Sequence, residues 1–329
     1  MAYASAREID ASGIPVIDVG ALRGGSDGAV AMVAEDMRAA SAEVGFFYIR
    51  NHGIDAATRD MALAASRRFF ALPGEVKRRV AVDARHRGFM AVGGAKMHQT
   101  ARSDLKESFN WGLELAADDP DLAGGDKPLL GPNNWPDADL PELRSAFYDY
   151  YLAACECGRD LMRACAVGLG ADEIFFAPQF TLPIARGSAL YYPPQPPQMG
   201  AEQFGVGAHT DYGCLTLLWQ DEVGGLQVQG KDGDWVKAHP IPDTLVVNVG
   251  DLLARWSNDR FVSTPHRVVN ASGRERYSLA VFFDPNYDAV VDPADLLEPG
   301  ETPKYQPIVA GEHVKARFDA AFAYRRAAG

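Results

Sequence analysis

From about residue 186 onward the chain becomes a succession of short β-prone runs separated by turn signals, and this alternation constrains the fold more than any other feature. The runs fall at 189–192, 215–219, 226–229, 235–237, 244–249, 266–270 and 277–283. Their spacing is that of a β-sandwich or barrel and not of βαβ units. Gly224-Gly225 and Asp232-Gly233 punctuate them as hairpin turns do. The half before this point mixes helices with short strands. A strand over 14–19 carries Pro15 near its start, where a missing N–H is tolerated. Ser26 and Asp27 are placed to cap a helix whose apolar residues Val30, Val33, Met37 and Val44 follow helical spacing, and Gly45 is placed to end it. A strand over 46–50 and a helix over 56–70 follow, whereas 83–139, rich in Gly and Pro, reads as irregular. A long helix over 140–169 carries Leu143, Phe147, Tyr151, Ala154, Leu161 and Cys165 on one stripe, and a last helix is expected over 311–326.

A chain of 329 residues that is 47% hydrophobic and 23% charged buries a large core and shows no sign of disorder. Its net charge of −12 argues against a nucleic-acid partner. No run approaches the roughly 18 apolar residues of a membrane span, and no secretory signal is recognisable at the start. The four cysteines are too few and too clustered for a disulfide framework, so a cytoplasmic setting is expected.

Only seven histidines occur, and their placement carries the chemistry. His209-Thr210-Asp211 has the form H-x-D, and in an extended chain residues i and i+2 point the same way. His266, opening another expected strand, offers a third donor. Two neutral imidazoles and one carboxylate on one face suit Fe(II) with positions left open for substrate and oxygen; zinc accepts the same donors, so a hydrolase is not excluded by them. Arg276 and Ser278, two apart on a strand, direct a guanidinium and a hydroxyl to one face, a pairing suited to gripping a carboxylate. His52 is read as fixing a turn. His86, His98, His239 and His313 lack partners at ligand spacing and are read as surface or loop residues. Asp251 is read as closing a turn through its side chain.

The combination of H-T-D (209–211), S-T-P-H-R-V (263–268) and R-Y-S (276–278) resembles the iron(II)/2-oxoglutarate oxygenases of the isopenicillin N synthase-like family. IPVIDV (14–19), GFFYIRNHGI (45–54), LYYPP (190–194) and NVGD (248–251) extend the resemblance over nearly the whole chain. It implies a fold that is mainly β with flanking helices: a double-stranded β-helix (jelly-roll) core over 179–290, a mixed helix/strand region over 1–178 packed on it, and a C-terminal extension with a helix over 291–329, together one compact unit. It implies that His209, Asp211 and His266 bind iron, that Arg276 and Ser278 hold the distal carboxylate of 2-oxoglutarate, and that Tyr192 reaches a carboxylate of cosubstrate or substrate. The reaction implied couples O2 and 2-oxoglutarate, giving succinate and CO2, to oxidation of a C–H bond in a small molecule by hydroxylation, desaturation or ring closure. A monomer is compatible with all of this.

Arg87, Phe89, Met97, Phe109 and Trp111 are the substrate-pocket residues expected from the irregular stretch, where the family's substrate contacts tend to fall. Lys106 and Glu107 read as the charged face of a structural strand. An oxidase of the same fold without 2-oxoglutarate, or an ethylene-forming enzyme, stays open beside the leading reading, as does a non-redox zinc hydrolase or ligand-binding barrel.

Overall fold

The computed structural model describes residues 13–24, 28–94, 104–125, 127–195 and 204–326. Ser26, Asp27, Met97 and His98 lie outside them. The chain opens with β1 (Val16–Asp18), α1 (Ala29–Glu43), β2 (Phe46–Arg50), α2 (Ala56–Ala71) and α3 (Gly74–Arg79). The stretch expected to be irregular supplies β3 (Gly88–Met90) and β4 (Glu107–Gly112), and α4 (Glu142–Gly168) follows. Then come β5 (Arg186–Tyr192), β6 (Val206–His209), β7 (Leu215–Gln220), β8 (Leu226–Gln229), β9 (Trp235–Lys237) and β10 (Leu245–Val249). The chain closes with α5 (Asp251–Trp256), β11 (His266–Val268), β12 (Arg276–Phe283), β13 (Val290–Val291), β14 (Ile308–Val309), α6 (Ala310–Ala321) and α7 (Ala323–Arg326).

Two sheets form the jelly roll. The larger runs β1-β2-β10-β7-β12-β5-β4-β3, and the smaller runs β6-β11-β8-β9. Because side chains alternate across a strand, the large sheet has two different faces. On β12, Tyr277, Leu279, Val281 and Phe283 join the core shared with α1, α2 and α4, where Leu143, Phe147, Tyr151, Ala154, Leu161 and Cys165 of α4 are all buried. Arg276, Ser278 and Phe282 point the other way and line the space between the sheets. That space has its own small apolar cluster, including Phe46, Tyr48, Tyr192, Leu226, Val246 and Val268. Gly45 turns the chain from α1 into β2 with φ +70°, and an added Cβ would meet the Val262 carbonyl oxygen at 2.1 Å, so nothing larger fits.

The same alternation corrects the expected pocket. Phe109 pairs with Ala189 and Phe89, so all three face the helices. Phe109 packs against Phe69 at 4.9 Å between ring centroids, and Trp111 stacks on Phe147 at 4.4 Å. Phe89 lies 5.9 Å from Phe69. Arg87 is buried and donates to the Leu129 carbonyl at 3.0 Å. These four expected pocket residues belong to the far side of the sheet, and the inward positions of β4 are Ser108 and Asn110. Small polar residues between aromatics resemble a solvent face, which is why the inward residues of β4 were not singled out as pocket positions.

Phe109→Ala is expected to lower unfolding stability by about 3–5 kcal/mol, read from chemical denaturation. A loss below about 1 kcal/mol would remove Phe109 from the core.

Candidate metal centre

β6 and β11 pair antiparallel with His209 directly opposite His266, which brings the two imidazole rings to 4.3 Å between centroids. β6 ends at His209, so Asp211 does not share a strand with it; the carboxylate returns on the turn that follows. That turn is held by β10 and α5: the Asp251 amide donates to the Asp211 carbonyl at 2.7 Å and the Leu252 amide to the Gly213 carbonyl at 2.9 Å. Asp251 therefore starts a helix instead of closing a turn, and its carboxylate accepts from Ser263 Oγ at 2.8 Å. Asp211 Oδ1 lies 3.7 Å from His209 Nε2, and Oδ2 lies 3.7 Å from His266 Nε2. One donor atom from each of the three residues falls within 4.8 Å of the others.

The surroundings set the donors' chemical state. His209 Nδ1 lies 2.8 Å from the Gly207 carbonyl and His266 Nδ1 3.2 Å from the Thr264 carbonyl. A carbonyl only accepts, so each Nδ1 carries a proton and each Nε2 is turned to the centre. Burial, and next the neighbouring His266, push the His209 imidazole well below its usual value, keeping it neutral. Burial alone would raise Asp211. The two imidazoles and the hydrogen bonds from Thr216 Oγ1 at 2.6 Å and Asn248 Nδ2 at 2.8 Å outweigh it, and the carboxyl stays below the usual range. One carboxylate and two imidazoles with Nε2 turned to the centre fit a divalent metal, with Oδ2 steadied by two donors and Oδ1 left for the ion.

Two small cavities meet at these donors. The first, about 70 Å³, is bounded by Tyr192, Leu218, Asn248, Val268, Arg276 and Ser278. Arg276 is fully buried and donates to Ser278 Oγ at 3.2 Å, to Gln220 Oε1 at 3.3 Å and to the Gly224 carbonyl. Its guanidinium lies 4.6 Å from the centre of the Tyr192 ring. Gln220 was missed by one residue, standing just past the expected end of its strand.

The second cavity, about 60 Å³, lies on the other side of the donors and is lined by His86, Ser108, Asn110, Arg186, Ser188, Tyr212, Phe282, Phe318 and Phe322, among others. Ser188 Oγ donates to Asn110 Oδ1 at 2.9 Å, and Asn110 Nδ2 donates to Ser108 Oγ at 3.3 Å. Arg186 is paired with buried Asp284 at 2.8 Å, its guanidinium packed between Phe282 at 4.1 Å and Phe318 at 4.7 Å. His86, expected at the surface or in a loop, lies in the loop before β3 but is 4% exposed, holds φ +64° and stacks on Phe318 at 4.4 Å, with Nδ1 2.6 Å from Tyr324 Oη. Burial, then the nearby Arg186, push its imidazole well below the usual value, so it is neutral. Its recruitment rests on contacts over more than 200 residues, which local spacing does not encode. The other histidines differ less: His52 Nδ1 accepts from the Ile54 amide at 3.2 Å in its turn, His239 is exposed, and His313 is half-buried on α6. A larger groove of about 700 Å³ lies outside the barrel against Tyr191, Trp219 and Tyr277, and holds none of the metal donors.

A large sheet and a small one enclosing two histidines and an aspartate define a jelly roll with a metal-binding donor set, and comparison with known proteins supplies the class. Residues 14–138 match the family described as "non-haem dioxygenase in morphine synthesis N-terminal", and residues 188–285 match the 2OG-Fe(II) oxygenase superfamily. The chain is 37% identical over 313 residues to the 2-oxoglutarate-Fe(II) type oxidoreductase hxnY of Emericella nidulans, covering 92% of this chain and 89% of that protein. It is 34% identical over 322 residues to the homoarginine-6-hydroxylase 2-ODD-233 of Oryza sativa, covering 93% and 96%. A full-length Neurospora crassa protein, solved in complex with alpha-KG and thymine, has a similar structure, with a TM-score of 0.83, 33% identity and coverage of 95% and 98%. The chain belongs to the iron(II)/2-oxoglutarate-dependent oxygenases. It is an iron dioxygenase that uses Fe(II), 2-oxoglutarate and O2. Among the described residues no helix is long and apolar enough to cross a membrane.

Asn248→Ala and Thr216→Val are each expected to weaken metal binding about 10- to 100-fold, measured by anaerobic titration against a chromophoric chelator. Unchanged affinity in both would mean that the backbone of the turn alone sets Asp211.

Proposed function

We propose that this protein hydroxylates a C–H bond of a small, planar, polar heterocycle, with His209, Asp211 and His266 holding the iron. Arg276 and Ser278 hold the distal carboxylate of 2-oxoglutarate, and the Tyr192 ring fixes the guanidinium from below. The observation that carries the proposal is the meeting of two cavities at one donor set, one ending on a buried arginine and the other walled by aromatic faces and a polar network.

Iron(II), when bound, supplies the O2 activation that couples decarboxylation of 2-oxoglutarate to C–H oxidation. The chain's own residues bind, orient and exclude. Phe282, Phe318 and Phe322 keep water from the second cavity. The Asn110, Ser108 and Ser188 network holds its polar groups in fixed directions for a substrate's carbonyl and N–H edges. Arg186 is neutralised by Asp284, so it contributes a planar donor without an excess charge. Neutral His86 adds a further flat face. Complexes of the similar N. crassa protein with thymine and with 5-formyluracil support a flat heterocycle, and the rice relative's name supports hydroxylation as the outcome.

Anaerobic addition of Fe(II) and 2-oxoglutarate to the apoprotein is expected to give a visible charge-transfer band that Arg276→Ala and His266→Ala abolish. A panel containing thymine, 5-formyluracil and homoarginine is then scored by substrate-dependent succinate formation. Stimulation by homoarginine and by none of the heterocycles would overturn the proposed substrate class.

A further inference from the structure

Lys106 immediately precedes β4, and its neighbour Glu107 turns to the outer face, where it binds Lys77 at 2.5 Å. Lys106 turns inward. It lines both cavities, together with Leu190, His209, Asp211 and Phe282, and in that shared set it is the one charged group, among the described residues, other than the metal donors. Its side chain is 14% exposed, and its nearest carboxylate, Asp104, stands 3.9 Å away, beyond hydrogen-bonding distance. Asp104 Oδ1 accepts from the Gly207 amide at 3.1 Å, which ties this segment to β6 two residues before His209. A mostly buried ammonium has three donors to satisfy, and leaving them without an acceptor is costly. The cavity that ends on Arg276 therefore contains two cations. One is fixed by Ser278 and Gln220; the other, beside the metal donors, has no hydrogen-bond acceptor of its own among the described residues.

We infer that Lys106 is a second cosubstrate anchor, which donates to the metal-proximal carboxylate of 2-oxoglutarate while Arg276 holds the distal one. This rests on the cosubstrate site proposed above. A 2-oxo diacid is anionic at both ends, and the cavity answers it with a cation at each. Lys106 thereby selects for a carboxylate next to the oxo group, and Arg276 selects for length.

The test compares 2-oxoglutarate with 2-oxovalerate, which keeps the proximal carboxylate and lacks the distal one. Dissociation constants are read from the charge-transfer band during anaerobic titration of the Fe(II) protein, with thermal melts and metal titration as folding controls. Lys106→Met, which keeps the aliphatic stem, is expected to weaken both acids about 10- to 100-fold, and Lys106→Arg to stay within a few-fold of the parent. Arg276→Met is expected to weaken 2-oxoglutarate alone. Lys106→Gln replaces the Met variant if the latter does not fold. Unchanged affinity for both acids in the Lys106 variant, with Arg276→Met still impaired, overturns the assignment of Lys106 and leaves the site intact. Unchanged 2-oxoglutarate affinity in Arg276→Met overturns the underlying site instead. Unchanged affinities combined with altered succinate yield per substrate oxidised would move Lys106 to the substrate side and likewise overturn the inference.

Discussion

The antiparallel pairing of β6 with β11, in the register that sets His209 opposite His266, is the constraint on which the site depends. A one-residue slip would send one imidazole to the other face of the small sheet. The pairing alone leaves the third donor undefined, and here the large sheet intervenes. Asn248 and Thr216 are themselves cross-strand partners on β10 and β7, and both reach the same carboxylate oxygen of Asp211. The metal centre is thus a contact between the two sheets, and neither sheet would form it alone.

The large sheet does a second task through its period of two. Residues facing outward meet the helices and make the main core; those facing inward carry nearly all the polar chemistry. Arg276 and Tyr277 are adjacent in sequence, yet one is fully buried between the sheets and the other packs toward α2. The helical layer hides the outer face, so the inner face is free to hold groups that a hydrophobic core would not tolerate. Three of them are paired in turn: Arg276 with Ser278 and Gln220, Arg186 with Asp284, and Asp211 with Thr216 and Asn248.

What was legible in the sequence follows from this division. β2, β8 and β9 match the expected runs residue for residue, because their apolar stretches are bounded by strong turn signals. His209, Asp211, His266, Arg276 and Ser278 were singled out by type and spacing, and the structure brings all five around one cavity. The second cavity was not legible. Phe89, Phe109 and Trp111 attracted attention as aromatics in a loop-like stretch, whereas the inward residues of the same strands are Met90, Ser108 and Asn110. His86, Arg186, Phe318 and Phe322 reach the cavity from segments far apart in sequence, and only the folded topology assembles them. Lys106 and Glu107 show how local this limit is: adjacent charges with one structural reading take opposite faces.

One wall of the second cavity comes from the end of α6 and the residue that follows it. Phe318 stands on the last turn of α6 and Phe322 is the extended residue that follows the helix, and Arg317 beside Phe318 pairs with Asp251 at 3.3 Å, at the start of the helix that braces the metal turn. None of the three metal donors and none of the groups around Arg276 lies on α6. The elements around the metal donors and Arg276 are thus separate from the one that shapes part of the chamber beside them. Exchange of Phe318 and Phe322, on and just after α6, would thus reshape the chamber without touching the residues around the metal donors or Arg276.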